Sequence, residues 1–250
     1  MSFVDLCRFE ISIPNKTVTV FDIRPDVTDE TLNHLLNDHV APRILAGSGH
    51  LVLHGSGVVI NGELAVFLGD TGAGKSTMAA SLDSVGHTLL GDDAVVITEE
   101  SGRVFGEPVY PSLRLYPETA SAIFGADIEV APMAHYSDKK QVGLASLDNI
   151  SQSPIPLGAL FYLTGEPDSE EVEAHALHPS DVCISLIEQS FAFEPRDANS
   201  ATVRLRKASE LAGRIPGYEL SYPHDLDRLN EVNAVIMRCM DAAKTIASPS

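Results

Sequence analysis

The stretch LGDTGAGKSTMAASLDSVGHTLLGDDAVVI, residues 68–97, holds two groups of side chains that can do chemistry together. Gly69-Asp70-Thr71-Gly72-Ala73-Gly74-Lys75-Ser76 satisfies the pattern G-x-x-x-x-G-K-[ST], with Thr77 directly after it. In that pattern the glycines let backbone N–H groups curl round phosphate oxygens. The lysine reaches the β- and γ-phosphates, the serine hydroxyl ligates Mg²⁺, and the following helix points its positive end at the anion. The apolar run ELAVFL precedes the loop and a helical pattern follows it, which is the context the mechanism requires and a chance match lacks. ATP and Mg²⁺ are the expected cofactors.

Asp92 and Asp93 lie a short helix and a short strand further on. A helix of about ten residues rises about 15 Å. The strand HTLL then returns parallel to ELAVFL, and a right-handed crossover puts both strand ends on one edge of the sheet. The two carboxylates should flank the phosphates there. One of the pair can hold Mg²⁺; its neighbour, pointing the other way, can accept a proton from an attacking hydroxyl. Like charges so close push their proton affinities apart, which suits a base beside a metal ligand. The plain alternative is a polar strand end.

Three further positions join the candidate set. His54 is expected on a strand that returns to ELAVFL through Asn61-Gly62, a pair suited to the positive φ angles of a tight hairpin. Its imidazole can orient or share a proton with an aspartate, or it can be a satisfied structural residue. Arg114 in PSLRLYPE and Lys139-Lys140 in SDKKQV are the cations placed to contact a transferred phosphate or a peptide carboxylate. The competing readings are a surface ion pair for the arginine and a solvated loop for the lysines. Arg204, Arg206 and Lys207 read as ordinary helix surface.

The elements that must position these groups follow from local pattern. Residues 7–23 alternate as a hairpin turning at Pro14-Asn15, and residues 28–40 read as a helix capped by Thr28 with Pro42 beyond its end. HLVLHGSGVVI and ELAVFLG form the next hairpin, and AVVITEE with RVFGEPV another, turning at Ser101-Gly102. GALFYL is a buried strand, GEPDSEE an acidic turn, and SDVCISLIEQSF, ATVRLRKASELAGRI and NEVNAVIMRCMDAAKTIA are helical. Residues 1–49 read as an N-terminal extension packed on a domain of residues 50–250.

Composition narrows the partners. In 250 residues, 35 acids oppose 17 Lys+Arg, a formal −18. A surface that negative disfavours nucleic acid and anionic membrane, and favours a neutral or basic peptide or protein. Solubility alone also accounts for excess acid. Cys7, Cys183 and Cys239 show no metal-ligand or disulfide spacing, and no apolar run is long enough to span a bilayer, so a cytoplasmic protein is expected.

Together, His54-Gly55, GDTGAGKST and GHTLLGDDAV resemble, in order and spacing, the catalytic domain of HPr kinase/phosphorylase. The resemblance covers about residues 50–100. It implies an α/β P-loop nucleotide-binding domain of the phosphoenolpyruvate-carboxykinase/HPr-kinase type, a mixed sheet with flanking helices and a small N-terminal β/helix extension. It also implies an ATP-dependent serine kinase, with Asp92 as base and Asp93 as metal ligand, and makes a homo-oligomer plausible. The family's second signature, E-[IV]-R-G-x-G, is absent; YPSLRLYPE stands there. That segment, the short N-terminal piece and Tyr222-Pro223-His224-Asp225 look more like HPr-kinase-like enzymes that phosphorylate the C-terminal serine of a lasso-peptide precursor. Two other readings stand beside that one: HPr itself as acceptor, and a nucleotide-sensing module without transfer activity.

Overall fold

A computed structural model of the chain describes residues 1–13, 15–134, 136–144, 147, 153–164 and 170–247. Pro14 of the expected turn and most of the acidic turn GEPDSEE lie outside the described residues. The N-terminal segment forms a three-stranded antiparallel sheet of β1 (Ser2–Phe3), β2 (Cys7–Ser12) and β3 (Thr17–Phe21). Helix α1 (Asp29–His34) follows, capped by Thr28 through a hydrogen bond from the Thr31 N–H. Its small core joins Cys7 and Phe9 to Leu35 and Val40.

The helix does not stop before Pro42, as the sequence suggested. It loosens into a π-helical turn, Leu35–Val40, and continues as α2 (Ala41–Gly47) with Pro42 in the first turn. Proline is tolerated there because its missing N–H is one of those a helix start leaves unpaired. The wider turn brings Asp38 inward, where it is 9% exposed.

A nine-stranded mixed sheet forms the main body. Its strands include β4 (Leu51–Leu53), β5 (Ser56–Ile60), β6 (Glu63–Leu68), β7 (Thr88–Gly91), β8 (Val95–Glu100) and β9 (Arg103–Pro108). A small separate sheet holds β10 (Arg114–Leu115), β11 (Val130–Pro132) and β12 (Lys140–Val142). The long β13 (Ile155–Leu163) pairs in parallel with β6 on one side and with β15 (Gly217–Ser221) on the other; β14 (Glu173–Ala176) completes the edge beyond β15.

HLVLHGSGVVI is not one strand. It breaks at His54-Gly55, so that β4 pairs with β8 while β5 pairs with β6. Gly55 makes the break possible: a Cβ there would sit 2.5 Å from the Phe67 carbonyl oxygen. β6 is buried on both faces, which explains its unbroken apolar run. Ala65 and Phe67 face α3 (Lys75–Ser84) and the C-terminal helix Leu229–Ala247; Leu64, Val66 and Leu68 face the helices Pro179–Glu188 and Ala198–Ala212. β5 lies antiparallel between β6 and β7, so those two run parallel and end on the same edge. Among the described residues no helix is long and apolar enough to cross a membrane.

Candidate active site

The loop after β6 has the backbone its glycines allow. Gly69, Gly72 and Gly74 all take positive φ (141°, 90° and 96°). At Gly69 a Cβ would lie 2.7 Å from the Leu163 carbonyl oxygen, and at Gly74 it would collide with the Tyr222 hydroxyl. Both positions therefore need glycine for space as well as for φ. Lys75 is buried, and its Nζ donates to the carbonyls of Gly69 (2.7 Å) and Asp70 (3.0 Å), folded back on its own loop. Desolvation lowers its pKa, against the opposing charges of Asp92 and Asp93. Asp70 accepts from Gln189 Nε2 at 3.3 Å, and the Ala73 carbonyl accepts from the Tyr222 hydroxyl at 2.5 Å.

The two aspartates after β7 face different surroundings. Asp92 is 3% exposed; Oδ1 accepts from Ser56 Oγ at 2.5 Å and Oδ2 from the Arg114 N–H at 3.4 Å. Asp93 takes a left-handed backbone, φ 67°, and its side chain stays 27% exposed, on the wall of a cleft. Burial, with the Asp92 charge next, pushes the Asp93 carboxyl up to about 7, against the pull of Arg114.

That cleft, of ≈ 260 Å³, is bordered by Thr71, Lys75, Ser76, Asp93, His54 and Lys139. His54 Nδ1 lies 3.0 Å from the Asp93 carbonyl oxygen. A carbonyl can only accept, so Nδ1 carries the proton and Nε2 of the neutral ring is left as an acceptor. Desolvation, then the Lys75 charge, lowers the His54 pKa and keeps the ring neutral. The break between β4 and β5 is what brings His54 to this position. Lys139 stacks over Tyr116 at 5.8 Å, while Lys140 lies in β12, paired with Leu115, and does not border the cleft.

Arg114 lies behind the wall, 6% exposed. Its guanidinium is ion-paired to Asp93 and, through both terminal nitrogens, to Asp38, with Nη2 to Asp38 Oδ1 at 2.8 Å. His34 also pairs with Asp38. Burial alone would raise the Asp38 carboxyl; the His34 hydrogen bond and the Arg114 charge outweigh it and hold it below its ordinary value. Arg114 is thus neither a surface ion pair nor an open phosphate contact. Its guanidinium neutralises Asp93 where Mg²⁺ was expected.

No protein-family model matches the chain. A 58-residue stretch is 38% identical to HPr kinase/phosphorylase of Mycoplasmopsis pulmonis. Over that stretch the chain resembles HPr kinase/phosphorylase. The match spans 23% of this chain and 19% of that protein, so it covers about a fifth of the relative. The HPr(Ser) kinase/phosphatase of Coxiella burnetii superposes with a TM-score of 0.41 at 11% identity, over 77% of this chain and 98% of that one. Around this cleft, Asp38, Ser56, Gln189 and Tyr222 are positions to which local sequence pattern gave no role. Ser56 stands in HGSG beside His54, and Tyr222 opens Tyr222-Pro223-His224-Asp225; Asp38 carried no signal, because its partner is 76 residues away.

Mg²⁺ fits the donors present. The Ser76 hydroxyl offers a hard oxygen on the cleft and leaves places for water and phosphate, while Asp93 is already engaged by Arg114. Among the described residues no group of three or more His, Cys, Asp or Glu side chains forms a cage of its own.

Proposed function

We propose that the chain is an ATP- and Mg²⁺-dependent kinase that transfers the γ-phosphate to a serine hydroxyl of a peptide or small protein. The observation that carries this is one cleft bordered by the phosphate loop, by a carboxyl whose pKa lies near neutrality, and by a neutral imidazole. Phosphoryl transfer needs positioning and charge stabilisation, with one group to take the hydroxyl proton. Asp93 is assigned that proton, the reverse of the order the family resemblance implies, because Asp92 is enclosed by Ser56 and Arg114.

In this scheme the serine oxygen forms a bond to the γ-phosphorus, and the bond from that phosphorus to the β,γ-bridging oxygen breaks. ADP leaves, and the serine proton passes to the Asp93 carboxylate. Lys75 turns from its own loop carbonyls to the β- and γ-oxygens. His54 Nδ1–H holds the Asp93 carbonyl and so fixes the left-handed turn that aims the carboxylate. Ser76 would hold Mg²⁺, and that ion would supply charge neutralisation at the phosphates.

For the acceptor we take a lasso-type precursor peptide ending in serine, supported by the segment resemblances of YPSLRLYPE and Tyr222–Asp225. HPr is the second reading, favoured by the 58-residue match. Incubation with Mg·ATP and each acceptor in turn, read by mass spectrometry, separates them. Addition of one phosphate to the peptide serine supports the first and addition to HPr the second. ATP binding with transfer to neither acceptor would refute both acceptor assignments.

A further inference from the structure

The phosphate loop has a second side. A cavity of ≈ 160 Å³ lies against Gly72, Gly74 and Thr77, the same three residues that border the catalytic cleft from the other direction. Its far wall comes from the segment after β15 and from the start of the C-terminal helix: Tyr222, Pro223, Leu226 and Leu229, with Met78 of α3 at its floor. These walls are mainly apolar. His224 and Asp225 are the exposed polar groups at its rim.

A bound triphosphate runs along the loop in a fixed direction. Lys75 and Ser76 address its β- and γ-phosphates and the metal, so the remaining end departs past the first helical N–H groups, at Thr77. Thr77 is where the two cavities meet. A flat apolar ring joined to a polar sugar is the group that such a chamber fits: ring between Leu226, Leu229 and Pro223, hydroxyls toward His224 and Asp225. One Asp225 oxygen, Oδ1, caps the short helix Leu226–Arg228 through the Asp227 N–H at 2.9 Å, which fixes the carboxylate at the rim. The Tyr222 hydroxyl, bound to Ala73, ties this wall to the loop itself.

We infer that this cavity is the nucleoside subsite, with the base of the nucleotide against Leu226 and Leu229 and its ribose at Asp225. The inference rests on the nucleotide-binding reading above and adds which end of the ligand each cavity takes. The test compares binding of Mg·ATP and of magnesium tripolyphosphate by calorimetry, in the full chain and in Leu226→Ser. Leu226 is 40% exposed, so the substitution leaves the fold intact. Wild type is expected to bind ATP more tightly than tripolyphosphate. Leu226→Ser should weaken ATP about tenfold and leave tripolyphosphate unchanged. Equal affinity of the wild type for both ligands, or ATP affinity untouched by the substitution, would overturn the subsite while leaving phosphate binding standing. An equal loss for both ligands would mean that the wall only props the loop, and would overturn it too. Failure of the wild type to bind either ligand would remove the phosphate-loop reading and this subsite together.

Discussion

Arg114 forms an ion pair with Asp93 from behind the cleft wall, and the same guanidinium is held by Asp38 of the N-terminal segment. The carboxylate on the cleft wall is therefore electrically connected to a helical turn more than fifty residues before it in the chain. Two acids share one buried cation. Whatever negative charge Asp38 contributes is charge that Arg114 cannot give wholly to Asp93.

Activity should accordingly depend on pH through Asp93. A base must be ionised to take a proton, and this carboxyl is pushed up to about 7. Below that pH, kcat/KM is expected to fall about tenfold per unit; above it, the rate should level off. Desolvation lowers the His54 pKa, so its own protonation falls on the acid side of this limb. A rate independent of pH between 5.5 and 8, measured with chemistry rate-limiting, would remove Asp93 from the role of base.

Asp38→Asn should move that limb to lower pH. The charges around Asp93 are Asp92 and Asp38, which raise its pKa, and Arg114 and Lys139, which lower it. Removing the Asp38 charge deletes one raising influence and leaves Arg114 undivided. The expected shift is about half to one pH unit, with KM for ATP nearly constant. Some stability is lost as well, because a buried ion pair loses one partner. A limb that stays in place would mean Asp38 serves folding only.

Asp93→Asn and Asp92→Asn should differ in kind. Loss of the base is expected to reduce kcat by about 10²–10⁴ while ATP still binds. At Asp92 the amide keeps an acceptor for the Ser56 hydroxyl, so a smaller loss is expected, together with a lower Asp93 pKa as the neighbouring charge disappears. If Asp92→Asn is the dead variant and Asp93→Asn retains most of its activity, the assignment must be exchanged.

How much of this was written locally in the chain differs by feature. The phosphate loop and the Asn61-Gly62 and Ser101-Gly102 hairpins were legible, because each depends on a few adjacent residues with positive φ or an exposed N–H. The parallel course of β6 and β7 was also legible from the length of the intervening helix. The insertion of β5 between them, and the break at His54-Gly55, were not: the break turns on the close approach of Gly55 to the Phe67 carbonyl, and the insertion on pairing of β5 with two strands at once. The Asp38–Arg114–Asp93 chain was least legible of all. It needs a π-helical turn and a separate small sheet to bring together three residues that have no pattern in common.

Tyr222→Phe isolates the tie between the loop and the strand end that supports it. The hydroxyl is buried, donates to the Ala73 carbonyl at 2.5 Å, and stands where a Cβ on Gly74 would be. Burial raises its pKa, so it remains a donor at any working pH. Phenylalanine keeps the ring and its packing but leaves the Ala73 carbonyl without this donor, at a cost of about 1–2 kcal/mol in stability. The loop carbonyls and N–H groups are then free to settle in other conformations, only some of which match a triphosphate. The expected result is a several-fold rise in KM for ATP with kcat almost unchanged, since Asp93, His54 and Arg114 lie on the other side of the loop. A fall in kcat at constant KM would instead show that Tyr222 acts on the transfer step, and that the two sides of the loop are coupled.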